Sequence, residues 1–403
     1  MSGPLSGIRV IDMTRVVAGP LAAQTFADLG AEVIKIERRG EGDDVRRVGP
    51  PWLPGGEGAD STYFQSVNRG KRSLTLDFTK PDGIALLLRL IDGADVLIEN
   101  YRTGTLAQYG LGYDDLHRRK PGLIYCSITG FGLTGPYSNR SGYDYLAQAM
   151  GGLMDVTGHA DGQPGAGPLR VGVPVADIAA GMNAVIGVLA ALRHRDATGQ
   201  GQQIDISLLD SQIAMMLNPV AAWCNAGAAI PRTGNDHPSA SPYGVYPVAD
   251  GHILVATFND REFARLAAEL GHAEWATDPL YATNGARVAN RPSLAKAITD
   301  ILLQHTKDYW VTKLNAAKIS CGPINTMADL VRDPHVQARG AIVTLDHPVH
   351  GPIRVPRSPI RLSACPAEQE RAPPTIGQHT DEVLGELGLD AAAIADLRQR
   401  GIV

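Results

Sequence analysis

The sequence predicts an α/β protein whose larger part is a doubly wound, mostly parallel sheet. Up to Gly130, short apolar runs of strand length alternate with stretches of helical period. That order implies parallel strands joined by crossover helices. The 403 residues are 44% hydrophobic and only 5% aromatic, with 45 glycines and 27 prolines. This is enough apolar material for a sizeable core, and its Gly- and Ala-rich texture is unlike an aromatic-cored β-sandwich. At about 100–200 residues per domain, the length suggests about two or three domains.

The elements follow in order. Ile8–Ile11 reads as a buried strand, and Pro20–Leu29 as a helix with Pro20 in its first turn and Gly30 at its end. Glu32–Ile36 and Ser73–Leu76 are the next strands, Pro81–Ile91 a helix, and Asp95–Ile98 a strand. A short helix near Asp114–Arg118 precedes the strand Leu123–Ile128. Together these make a Rossmann-like domain, whose ligands sit beyond the carboxyl ends of the strands. The glycine-rich stretch Gly158–Gly167 reads as a loop, either on the surface or against a ligand. Ala176–Arg195 is a long helix whose small residues (Ala179, Ala180, Gly181, Ala184, Gly187) permit close helix–helix approach. Gln203–Ser207 is a strand and Leu208–Asn218 a helix.

From Pro219 to Pro242 the texture turns rich in Gly, Pro, Ser and Asn, as at a boundary. Val245–Val248 and His252–Thr257 flank Asp250-Gly251, a strong hairpin signal. Helices near Arg261–Leu270, Ser293–His305 and Lys307–Ala317 complete a smaller α+β unit. Strands near Ile342–Leu345 and Ile353–Val355 lead to helices Asp381–Leu387 and Ala391–Arg400.

The formal charge of -5 argues against a dedicated nucleic-acid binder. Cys126, Cys224, Cys321 and Cys365 form no CxxC pair, so a disulfide framework is not expected and a reducing, cytoplasmic setting is. The start of the chain has no basic-then-apolar signal pattern, and no charge-free apolar run reaches about 18 residues. A membrane partner is therefore not expected.

The dinucleotide fingerprint is missing, because the first strand is followed by DMTRVVAGP and not GxGxxG. Asp177 opens the Ala/Gly-rich helix, where the dipole and free N–H groups would favour its anion. On spacing alone it reads as an N-cap. Asp144 likewise opens a helix, and Asp210 reads as a cap or a helix-face charge. His159, His237 and His379 have no metal-ligand spacing and no metal site is expected. There is no GxSxG elbow, and Cys126 reads as an inert core thiol. Lys35, Arg38, Arg39, Arg46, Arg47, Arg69, Lys71 and Arg72 cluster early and several follow strand ends, either as solvated charge or as a phosphate-binding groove.

Seven blocks in order carry a resemblance: Leu5–Arg46, Asn68–Phe78, Ala94–Leu116, Gly142–Met154, Val173–Ser211, Cys321–Gly340 and Gly377–Gly388. Together they resemble the class III CoA-transferases. These include formyl-CoA, carnitine and succinyl-CoA:dicarboxylate transferases and also α-methylacyl-CoA racemase. The resemblance implies a discontinuous Rossmann-like large domain (1–222 and 336–403), an inserted small α+β domain (223–335) and an interlocked homodimer. It implies no tightly bound cofactor, with acyl-CoA and a carboxylic acid as substrates.

By the same resemblance Asp177 matches the catalytic aspartate. It would pass through an acyl anhydride and an aspartyl-CoA thioester. Val16, Val17 and Ala18 match the turn near the reactive sulfur, with backbone N–H groups as oxyanion donors. Arg38 matches the arginine at the nucleotide end, and Leu76, Asp77, Phe78 and Thr79 the adenine side. Asn100, Tyr101 and Arg102 match a further CoA loop. Gly142, Tyr143 and Asp144 match the segment facing the pantetheine.

Three departures mark this chain. Val17 stands where formyl-CoA transferases have glutamine, and Gln108 where they have arginine, with Arg102 as a substitute phosphate contact. GNDHPSASPYG stands where they carry a tetraglycine lid. Formyl-CoA:oxalate transfer is therefore disfavoured within the class. The rival reaction is racemisation, which needs an acid/base group on each face of the α-carbon. Racemases supply a histidine where this chain has Tyr143, and a phenol of pKa about 10 is a poor base near neutral pH.

Overall fold

The computed structural model describes residues 3–55, 60–365 and 371–403. By contact the chain divides into two compact units. The first holds residues 1–153, 171–217 and 334–403; the second holds 154–170 and 218–333. Here 154–170, which contains the glycine-rich loop, groups with the second unit, apart from its chain neighbours on either side.

The first unit is built on six parallel strands: β1 (Arg9–Asp12), β2 (Glu32–Glu37), β3 (Arg72–Thr75), β4 (Val96–Glu99), β5 (Ile124–Thr129) and β6 (Gln203–Ser207). Their order is β3-β2-β1-β4-β5-β6, with Ile11 beside both Ile34 and Leu97. The order reverses between β1 and β4, and doubly wound sheets bind ligands at such a point.

The first-unit helices include α1 (Ala18–Asp28), α2 (Thr62–Ser66), α3 (Pro81–Asp92), α4 (Tyr113–Arg119), α5 (Asp144–Met150), α7 (Val175–Thr198) and α8 (Leu208–Met215), while α6 (Leu153–Val156) falls mostly in the second unit. The period-2 alternation of the strands sends neighbours to opposite cores. Val10, Val96 and Ile98 pack with α1 and α7 through Ala22, Phe26, Ala180, Ala184 and Val188. Ile11, Ile34 and Leu97 pack instead with Leu87 and Leu90 of α3 and with Leu384 and Leu397 near the C-terminus. Each buried Leu or Ile contributes about 1.5–3 kcal/mol.

Helix α7 is the one helix among the described residues long and apolar enough to cross a membrane. Half of its apolar window is buried in the protein, as befits a core helix on a sheet. The helix expected at Leu208–Asn218 is broken. It stops at Met215, Leu217 takes a φ of +25°, and a new helix runs Leu217–Ala226 into the stretch expected to be a linker. Pro219 explains the break, since it has no N–H for the carbonyl of Met215 and its ring clashes there.

The second unit holds the antiparallel strands β7 (Tyr243–Val248), β8 (Gly251–Ala256) and β9 (Ser320–Pro323), in that order. Helices Asp260–Glu269, Arg291–Leu302 and Lys307–Ala316 cover them through Phe263, Leu266, Leu294, Ile298 and Trp310. In the first unit a last hairpin pairs β10 (Ile342–His347) with β11 (Gly351–Pro356).

Candidate active site

Two helices bring their N-termini to one cavity at the carboxyl end of the sheet. Helix α1 leaves β1 through the turn Arg15–Val17, and α7 lies against it. The approach is close enough that a Cβ at Gly181 would sit 2.7 Å from the Ala18 carbonyl oxygen. A third segment crosses β5's exit loop where Gly142 meets Gly130, and a Cβ on Gly142 would lie 2.3 Å from Gly130 Cα. That crossing sets Tyr143 and Asp144 beside α7.

The cavity is about 300 Å³. Its lining includes Val16, Val17, Ala18, Asn100, Tyr101, Arg102, Gly142, Tyr143 and Asp177, nine of the residues expected from sequence. Arg38, Leu76, Asp77, Phe78 and Thr79 line a second cavity of about 570 Å³. Arg15 and Tyr101 line both cavities. In the second, Phe78 meets Tyr101 and Tyr109 edge to face at 5.7 and 5.9 Å. Arg38 there is paired with Asp44 at 2.6 Å and Glu41 at 3.2 Å. Arg102 lies in the other cavity, where its guanidinium donates to Ser141 Oγ at 2.9 Å. Gln108 lines neither.

Asp177 is the third residue of α7 and not its N-cap, which is Pro174. Its carboxylate has no hydrogen-bond partner among the described residues. The cap-like role falls to Asp144, at the start of α5. Asp144 Oδ1 accepts from Ala176 N–H at 2.8 Å and Asp177 N–H at 3.3 Å, and Oδ2 accepts from Gln148 Nε2 at 2.6 Å. Asp144 is thus buried under the end of α7 and lines neither cavity. This corrects two expectations. Asp177 is not the N-cap, and the N–H groups at the start of α7 do not hydrogen-bond its carboxylate, because Asp144 takes them. Burial, and then the neighbouring Asp144 charge, instead push the Asp177 carboxyl up to about 7.

Helix α1 is the opposite case. Its N-cap, Val17, makes no side-chain cap, and the N–H groups of Val17 and Ala18 have no partner among the described residues. They line the cavity that contains Asp177. Free N–H groups at a helix start favour negative charge.

Residues that sequence reading did not single out surround this centre. Arg15 packs over the Tyr101 ring at 5.1 Å, and Arg140 over Tyr137 at 4.5 Å. The pKa of Tyr63 on α2 is raised, first by burial and then by the charges of Asp177 and Asp144. None of these stands in a spacing that a single sequence reveals. Among the described residues no cluster of His, Cys, Asp or Glu is arranged to hold a metal. His379 accepts from Ser73 N–H at 3.1 Å and serves the fold. Cys126 is fully buried in β5, where burial pushes its thiol pKa up.

Comparison with known proteins agrees over the whole chain. The succinate–glutarate CoA-transferase of Agrobacterium fabrum is 45% identical over 386 residues, which is 95% of this chain and 96% of that one. The succinyl-CoA:glutarate CoA-transferase of Homo sapiens is 39% identical, covering 99% of this chain and 90% of that one. A crystal structure of a CAIB/BAIF family protein from Brucella suis superposes with a TM-score of 0.86 at 42% identity, covering 96% of this chain and 100% of that one. The profile of CoA-transferase family III matches residues 5–380, and the chain belongs to that family.

Proposed function

We propose that this enzyme moves CoA from an acyl-CoA donor to a carboxylic acid, with Asp177 as the nucleophile. One observation carries the reading: an unpartnered carboxylate shares a cavity with the free Val17 and Ala18 N–H groups. The Asp177 carboxylate attacks the thioester carbonyl, and the tetrahedral oxyanion is met by those N–H groups. Collapse expels CoA thiolate and leaves an acyl–aspartyl anhydride. The thiolate attacks the aspartyl carbonyl, releases the donor acid and forms aspartyl-CoA thioester. The acceptor carboxylate attacks that thioester, again expelling thiolate and giving a second anhydride. Thiolate then attacks the acceptor's carbonyl, yielding the new acyl-CoA and the free Asp177 carboxylate.

The site supports a long, bent ligand. Arg38 and the Phe78 and Tyr101 rings would take the nucleotide, with the thioester reaching Asp177. The names of the relatives favour short dicarboxylates as donor and acceptor acids. The racemase reading gains nothing, since Tyr143 holds the position of the racemase histidine and is 68% exposed. An interlocked homodimer belongs to the same proposal. It is supported by Met182 and Ile186, one helical turn apart on α7 and 58% and 62% exposed, an apolar stripe that a second copy would cover.

The test is trapping. Incubation with succinyl-CoA and then hydroxylamine leaves a hydroxamate at Asp177 that mass spectrometry reads. Asp177→Ala abolishes both the hydroxamate and CoA exchange, a loss of at least about 10³-fold. Full exchange by Asp177→Ala sinks the covalent route.

A further inference from the structure

The turn that presents Val17 and Ala18 is held from beneath by the side chains of Asp43 and Asn100. We propose that Asp43 and Asn100 are positioning residues for the transfer proposed above: they lock the strained Arg15–Val17 turn so that its N–H groups keep one fixed direction. The inference rests on that reading of the reaction.

Val16 has a φ of +73°. A β-branched side chain in the left-handed region is a genuine outlier and costs about 1–3 kcal/mol, so it persists only where surrounding groups over-determine it. Here they do. Thr14 N–H donates to Asp12 Oδ1 at 2.9 Å, and Thr14 C=O accepts from Lys35 Nζ at 2.8 Å. Arg15 N–H donates to Asn100 Oδ1 at 2.9 Å, and Arg15 C=O accepts from Asn100 Nδ2 at 2.7 Å. Val16 N–H donates to Asp43 Oδ1 at 3.1 Å. Every backbone polar group from Thr14 N–H to Val16 N–H is therefore claimed by a side chain: Asp12 at the end of β1, Lys35 on β2, Asn100 just after β4, and Asp43 in the loop after β2.

The claimants are themselves fixed. Asp43 is fully buried, ion-paired with Lys35 Nζ at 2.9 Å, and its own N–H donates to Glu37 Oε2 at 2.9 Å. Lys71 holds Asp12 at 2.8 Å, and the two lysines keep Asp12 at about 2 although burial opposes it. Asn100 grips Arg15 from both sides, accepting at Oδ1 and donating one Nδ2 hydrogen. Those two bonds leave the second Nδ2 hydrogen outside the clamp, and the residue lines the cavity. The first free N–H groups come immediately after the clamped span, at Val17 and Ala18.

Asn100 is the accessible place to test this, because Asp43 sits in a buried charge network. In the full-length enzyme with a donor and acceptor that the wild type accepts, Asn100→Ala lowers kcat by about 10²-fold, the size of a lost oxyanion donor. The dissociation constant for CoA stays within about threefold, as a role in holding the turn requires. Asn100→Asp, which still accepts from Arg15 N–H, recovers part of kcat. Val16→Gly removes the φ penalty, so adding it to Asn100→Ala also recovers part of kcat; should Asn100→Ala not fold, the same addition to Asn100→Asp is the measurement. A variant with weakened CoA binding and intact kcat overturns the inference and makes Asn100 a CoA ligand. Loss of kcat with no rescue from Val16→Gly also overturns it. A wild type with no CoA exchange sinks the proposed function and this inference with it, whereas the two preceding outcomes leave the function standing.

Discussion

The two helix N-termini at the cavity do opposite things. Helix α1 leaves the N–H groups of Val17 and Ala18 open, whereas α7 has its own plugged by the Asp144 carboxylate. The difference assigns the work. The open end is free for negative charge that appears during a reaction, while the plugged end keeps such stabilisation from Asp177. A carboxylate bathed in N–H donors would be a weak nucleophile. One beside another carboxylate, with its pKa raised to about 7, is a stronger base and attacks more readily.

The largest test of this comparison is to push the two ends apart. Gly181→Ala places a Cβ 2.7 Å from the Ala18 carbonyl oxygen, a backbone atom at the head of α1. The helices must separate by several tenths of an ångström. Overpacking of this kind costs about 1–3 kcal/mol of stability. A misplaced reacting group costs up to about 10²-fold in rate. Denaturant unfolding and kcat therefore fall together in Gly181→Ala, while Gly187→Ala, farther along α7 where the contact is Ile204 Cγ2 at 3.1 Å, loses far less rate. Equal rate losses in both would show that the spacing of the two N-termini is not what matters.

Much of the sheet was legible because buried parallel strands read as continuous apolar runs between helical periods. The strand at Ser320–Pro323 was not, since Ser, Cys, Gly and Pro carry no strand signal and pairing with Val255 and Leu254 makes the strand. At the site the limits are sharper. Spacing alone left Asp177 as a helix cap, and the family resemblance supplied its role. That Asp144 caps α7 depends on a contact spanning 33 residues of chain, which no local pattern encodes. The strained Val16 carries no glycine to betray it, and Asp43 reaches Val16 N–H only once β1 and β2 are paired.

A smaller effect separates the plug's geometry from its charge. Asp144→Asn keeps an oxygen for the Ala176 N–H but removes the negative neighbour. The Asp177 carboxyl then ionises more easily, and the acid limb of kcat/KM moves down from about 7. A shift on the order of one pH unit is expected for a charge this near in a partly shielded site. The nucleophile is the ionised form, so activity rises with pH through this midpoint in both proteins. A pH–rate profile that stays put in Asp144→Asn would remove the electrostatic half of the comparison and leave Asp144 as a cap alone.

A last effect is thermodynamic, and water at the half-buried carboxyl reduces it. Asp177 ionises at 3.8 in an ordinary setting and at about 7 in the fold. Its folded form therefore holds a proton that the unfolded chain releases between those values. Stability is undiminished below 3.8, is lost progressively as pH rises between 3.8 and about 7, and the deficit is complete above about 7. Removing the charge abolishes the deficit. Asp177→Asn matches the wild type in denaturant unfolding at pH 4 and exceeds it at pH 8, by at most about 4 kcal/mol and less where water reaches the carboxyl. A difference that is flat across this range would mean that the plugged end of α7 does not destabilise the Asp177 anion, and that its reactivity must come from the open end of α1 alone.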